Sequence, residues 1–210
     1  MNYGDIKAHF NELLNRSDIT PTLTTQFIDR SIARIQRQLR TPLNENVSTF
    51  AISGQTAQIT LPNDFLEIIS LYYESIELKR VPMETFRPLA QNPMAGRPEV
   101  FVRQQQDLLL HPQPANGNVI LYYYGEFAPM TLNTDENALA AVAPDLIIYG
   151  GLTYAADFYL DERGPLFEEK FRLFLAELQG QSDDQELNGG VQSIQPMSRF
   201  DDYQSTYVSY

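Results

Sequence analysis

PDLIIYGGLTYAADFYLDERGPLFEEKFRLFLAELQ, residues Pro144 to Gln179, reads as two helices joined by a short break. Pro144 suits a first helical position, where its missing N–H costs nothing, and Asp145 puts a negative charge at the positive helix end. Ile147, Gly151, Tyr154 and Phe158 recur at helical spacing and define one face. Gly164-Pro165 restarts the chain, and Phe167, Phe171, Phe174 and Leu178 form a second apolar stripe. The two helices are expected to form an antiparallel hairpin. Each glycine of Gly150-Gly151 costs roughly 1 kcal/mol relative to alanine inside a helix. Such a pair is expected where another helix comes close, with two backbones nearest there, and leucine at Gly151 should overpack the contact by roughly 1–3 kcal/mol or more.

Working outward, residues 3–16 read as a helix with Ile6, Phe10, Leu13 and Leu14 on one side. Thr20-Pro21-Thr22 opens a second, running to about Arg40, with Ile28, Ile32, Ile35 and Leu39 as its apolar face. Arg30, Arg34 and Arg37 fall on the other side as a basic stripe. Helices at 3–16 and 22–40 should therefore pack on those at 144–161 and 164–179. Between them the period changes from helical to alternating. Val47–Ile52 and Ala57–Leu61 read as a hairpin turning at Ser53-Gly54-Gln55. Strands follow over 65–73, 76–81, 99–103, 108–111 and 119–124, with a short helix at 82–89. Thr134-Asp135-Glu136 opens a weak alanine-rich turn before Pro144. The fold class expected is α+β. A four-helix bundle (1–42 and 130–180) carries an inserted small antiparallel β domain (43–129) and an extended C-terminal tail (181–210).

Composition narrows the function. The net charge of -12 argues against wholesale neutralisation of nucleic-acid phosphates and suits high solubility, or a wall past which nucleic acid slides without sticking. The absence of cysteine rules out disulfides and thiolate metal sites and is in keeping with cytosolic assembly. Met1-Asn2-Tyr3-Gly4-Asp5 lacks a basic flank leading into an apolar run, so no signal peptide is expected, and no membrane span is expected either. P-loop, Gly-x-Gly and Gly-x-Ser-x-Gly signatures are missing. His9 with Glu12 is at most a fragment of a metal site, so neither metal nor cofactor is expected.

Asp157, Asp161 and Glu162 cluster at a helix end and could serve acid–base chemistry or an interface, or form a solvated corner. Tyr122-Tyr123-Tyr124 reads as a strand with one face in the core and one against another layer, or more sharply as a glycan platform. After Gly180, five acids, one base and few aliphatics provide no core. Phe200, Tyr203, Tyr207 and Tyr210 are then expected to be partner-binding anchors, with Ser205 to Tyr210 able to add as a strand to a sheet edge.

Tyr3-Gly4-Asp5-Ile6-Lys7, Phe27-Ile28-Asp29, Ile35-Gln36-Arg37-Gln38-Leu39-Arg40, Leu61-Pro62-Asn63-Asp64-Phe65-Leu66-Glu67, Gly96-Arg97-Pro98, Leu109-Leu110-His111-Pro112 and Ala143-Pro144-Asp145-Leu146-Ile147-Ile148-Tyr149-Gly150 appear in this order. In that layout the chain resembles the head-to-tail adaptor proteins of tailed bacteriophages. The resemblance implies a non-catalytic ring, usually of twelve subunits, beneath the portal in the virion neck. Its partners would be portal protein, neighbouring adaptor subunits and downstream tail or nozzle proteins. Arg30, Arg34, Arg37, Asp157, Asp161 and Glu162 are the residues expected at subunit contacts. The competing reading is a virion-associated cell-wall hydrolase or glycan-binding module; a tail-terminator or stopper ring belongs to the adaptor's own class.

Overall fold

Pro144–Tyr159, helix α5, buries Leu146, Ile147, Ile148, Gly150, Gly151, Leu152, Ala155 and Ala156. A helix covered on so many sides must be surrounded, and it is. The computed structural model describes residues 1–54, 57–92 and 94–188. In it α5 packs against α1 (Tyr3–Leu14), α2 (Pro21–Gln38), the short α4 (Ala138–Val142) and α6 (Gly164–Asn188). Local chemistry sets the helix ends. The Asn2 side chain accepts the Asp5 N–H, Thr20 accepts that of Leu23, and Asn137 accepts that of Ala140. Asn15 closes α1 and Leu160 closes α5, both in the left-handed region.

α6 returns antiparallel to α5: Gly164 lies beside Ala156, while Phe171 lies beside Gly150. Phe167, Phe171 and Leu178 are buried as the stripe predicts, and Phe174 is partly buried. Residues of α1, α2, α4, α5 and α6 share one apolar cluster. Two expectations for this region need correction. Phe158 stays 58% exposed, because it lies at the last turn of α5, past the buried Ala155. The extended tail does not start at 181. α6 runs on to Asn188, with Ser182 buried, so the open surroundings of Gly180 do not end the helix. At the glycine pair a Cβ would first meet the side chains of Ser31 and Phe171 on Gly150 and of Phe10 on Gly151, where the Phe27 carbonyl oxygen follows at 3.6 Å.

The middle of the chain forms two four-stranded sheets. The first runs β1 (Glu45–Ser53), β8 (Asn116–Gly125), β3 (Phe65–Tyr73), β4 (Ile76–Glu77). The second runs β2 (Gln58–Thr60), β7 (Asp107–His111), β6 (Val100–Gln104), β5 (Lys79–Arg80), and helix α3 (Met83–Ala90) packs on β6 and β7. Leu71, Val119, Leu121 and Tyr123 from the first sheet and Ile59, Phe101, Leu108 and Leu110 from the second share one core. The expected hairpin of 47–52 with 57–61 does not form. β1 pairs with β8, Val47 opposite Tyr122, whereas β2 pairs with β7, Ile59 opposite Leu108. Both strand phases were readable, but the chain passes from one sheet to the other after Gly54, so the two apolar sides meet across the core. Nor is the unit wholly antiparallel, since β5 and β6 run parallel.

The β sheets join the helices at a polar hinge of few residues. Arg40 at the end of α2 pairs with Glu67 of β3 at 2.8 Å and lies over the Tyr124 ring. The Asn44 amide donates to the Gly125 carbonyl, and the Glu126 N–H donates to that of Asp64.

Candidate functional site

The charged side chains of the helices divide into those used within the chain and those that face outward. The arginine stripe of α2 divides. Arg34 forms a two-pronged ion pair with Glu168 of α6, at 2.8 and 2.9 Å, and its guanidinium lies 4.1 Å from the centroid of the Phe171 ring. Glu168 also accepts from Arg172, and the Arg34 hydrogen bonds are the main cause holding its carboxyl below the usual range. Arg34 thus ties α2 to α6. Arg30 and Arg37 are exposed, and among the described residues neither has an ion-pair partner.

The acidic corner divides in the same way. Asp161 binds Arg163, whose Nη2 also donates to the Leu14 carbonyl and whose Nη1 donates to that of Leu13. Those carbonyls end α1, where the helix dipole favours a cation. The turn between α5 and α6 is thereby clamped to α1. The side-chain and backbone hydrogen bonds of Arg163 pull Asp161 from 3.8 down to about 2. That takes Asp161 away from the protonated form a general acid needs. Asp157 and Glu162 are exposed and, among the described residues, in no ion pair.

A carboxyl whose folded value is depressed stabilises fully above its unfolded value and loses that contribution as pH falls through the folded one. Stability should therefore fall between about pH 4 and pH 2 as Asp161 takes up its proton. Asp161→Asn should show a shallower decline of melting temperature over that window. Equal slopes for the two proteins would show that the clamp contributes nothing.

The tyrosine run is no platform. Tyr122 points out of the first sheet and stands edge-on to Tyr72, Tyr123 is buried between the sheets, and Tyr124 lies under Arg40. Consecutive strand residues must alternate. His9 and Glu12 are both exposed and 4.0 Å apart, and no cluster of three or more metal-binding side chains exists among the described residues. Two surfaces escaped sequence reading. One is the outer face of the first sheet, where Val47, Ile69 and Tyr122 stay exposed. The other is a groove between β3 and β5. Outward Val47, Thr49 and Ala51 in β1 were the only sequence signal for the first. Phe200, Tyr203, Tyr207 and Tyr210 lie outside the described residues.

A family model described as SU10 adaptor protein matches residues 1–195. This chain belongs to the SU10 adaptor family. As a member it is a bacteriophage head-to-tail adaptor, a structural protein of the virion neck and not an enzyme. Family membership implies interaction with portal and tail components. None of the curated proteins compared with the adaptor matches it. The family match takes in the six α-helices and both sheets of the described residues and stops short of Phe200.

Proposed function

We propose that this adaptor assembles as a ring, with twelve subunits, beneath the portal and continues the DNA channel toward the downstream tail or nozzle proteins. The family match over residues 1–195 carries this reading. In it α1, α2, α5 and α6 act as one four-helix bundle, the discontinuous unit 1–42 and 130–180, from which the β unit 43–129 projects. The chain beyond α6 docks on portal or on a neighbouring subunit through Phe200, Tyr203, Tyr207 and Tyr210. Copies of a -12 chain pack side by side only where opposite charges meet. Arg30 and Arg37, exposed and unpaired among the described residues, supply the basic side, and Asp157 and Glu162 supply the acidic one. Arg34 and Asp161, used within the chain, hold the frame that presents them. DNA passes the acidic wall without specific binding, and assembly takes place in the host cytoplasm.

Attachment to portal-bearing capsids, followed by co-sedimentation, tests both contacts in one experiment. A chain ending at Asn188, which keeps α6 whole, should fold and melt normally yet fail to attach. Arg30→Glu with Arg37→Glu should keep the wild-type circular dichroism and attach weakly, and wild-type attachment should itself loosen as salt rises, because screening acts most on exposed pairs. Wild-type attachment by the shortened chain would sink the tail as tether. Wild-type attachment by the double reversal would reduce the stripe to a solvated face.

A further inference from the structure

The gap between the two sheets is open on one flank. β3 is bonded along its length to β8, but on its other side β4 reaches only Tyr72 and Tyr73. The Leu78 N–H adds one bond to the Leu71 carbonyl, so the segment before Leu71 offers a free strand edge. Facing it is β5, the outermost strand of the second sheet, bonded only to β6. Between them lies a groove of about 460 Å³ with Ile68, Ile69 and Phe101 in its wall. Lys79 and Arg80 line it and Glu77 is its one acid. Both cations are exposed and in no ion pair among the described residues. The charge is local. Residues 79–103 hold Lys79, Arg80, Arg87, Arg97 and Arg103 against Glu84 and Glu99, in a chain of net charge -12.

Free strand edges ask for an extended peptide, the apolar wall asks for large side chains, and the cations ask for carboxylates. Phe200-Asp201-Asp202-Tyr203 has that composition: two adjacent acids flanked by aromatic rings. It lies beyond the end of α6, and residues 189–199 leading to it span roughly 40 Å when extended, more than the width of a small domain. We propose that the groove between β3 and β5 receives residues 200–203 of a second copy of this chain. Asp201 and Asp202 meet Lys79 and Arg80, and Phe200 and Tyr203 cover the Ile68, Ile69 and Phe101 wall. The contact places opposite charges together where two acidic copies would otherwise repel. It rests on the reading that the chain beyond α6 is a tether, and it makes the neighbouring subunit the thing tethered. The apolar wall beside a free strand edge suits a peptide better than a DNA duplex.

The natural chain has no cysteine, so introduced ones report cleanly. Full-length adaptor with Ile69→Cys and Tyr203→Cys, bound to portal-bearing capsids and mildly oxidised, should give a ladder of disulfide-linked multimers on a non-reducing gel. Either single variant should give none. Adding Lys79→Glu and Arg80→Glu should abolish the ladder while circular dichroism stays unchanged, and further adding Asp201→Lys and Asp202→Lys should restore it. A disulfide closing only within one chain would overturn the proposal. So would a ladder indifferent to the charge reversal, or binding of duplex DNA that is lost with Lys79→Glu/Arg80→Glu and not recovered by the swap. If no ladder forms although the chain ending at Asn188 fails to attach, the tether goes elsewhere and the groove assignment is wrong. If that shortened chain attaches normally, the tether reading fails and takes this inference with it.

Discussion

Replacing Phe171 with alanine is expected to cost about 3–5 kcal/mol, the range for deleting a fully buried aromatic ring. Phe171 is 0% exposed and sits where α2, α5 and α6 meet. Ring carbons lie 3.0 Å from where a Cβ on Gly150 would be, and the Arg34 guanidinium covers the ring. Truncation empties that space without relaxing it, because α5 is held by α1 and α2 as well. For a chain of this size the melting temperature should fall by about 6–20 °C. The same change also strips the Arg34–Glu168 pair of its apolar floor, so Arg34→Ala should cost less in the Phe171→Ala background than in the wild type. A loss below about 1 kcal/mol would mean that the three-helix junction does not close on this ring.

That junction was largely legible in the sequence, and the reason is periodicity. Phe167, Phe171, Phe174 and Leu178 repeat at helical spacing, and the capping and proline signals around Thr20-Pro21 and Pro144 fall within a residue or two of the observed ends. Contact between the first forty residues and 144–179 followed from apolar faces that needed covering, and Ser31 donating to the Ile147 carbonyl is one such link. Sheet pairing was less legible. Alternation reveals which residues of β1 and β2 point inward but carries nothing about which strand lies alongside. The nearest turn therefore suggested a hairpin where the chain in fact changes sheets. The end of α6 was misread for a related reason: Gly180 and the acids after it looked like a terminus, yet Ser182 is still buried.

Surfaces were the least legible. The arginine stripe was visible on the α2 face, but a single helix cannot say that Arg34 meets Glu168 from 134 positions away while Arg30 and Arg37 meet no acid among the described residues. Likewise Asp161 looked equivalent to Asp157 and Glu162 until Arg163 and the end of α1 were in place. The groove beside β3 exists only because β4 is two residues long, a feature with no local signature.

Gly150→Ala should destabilise and Gly151→Ala should not, although alanine is the better helix former at both positions by roughly 1 kcal/mol. A methyl on Gly150 would run into the Ser31 hydroxyl and stand 3.0 Å from two carbons of Phe171. The hydroxyl is not free to turn aside. It is fully buried and donates to the Ile147 carbonyl at 2.8 Å, and losing that partner costs about 1–3 kcal/mol. Shifting the buried ring costs a similar amount, so a net loss of about 1–5 kcal/mol remains after the helix gain is subtracted. At Gly151 the methyl meets the Phe10 ring at 3.1 and 3.3 Å, and Phe10 need move only a few tenths of an ångström. The helix gain then roughly offsets the crowding, within about 1 kcal/mol of the wild type. Leucine overpacks both sites, Gly150 the more severely. Urea midpoints of the two alanine variants measure the order directly. If Gly151→Ala is the more damaging, α5 approaches α1 more tightly than α2, and Ser31 with Phe171 is not the tighter of the two contacts.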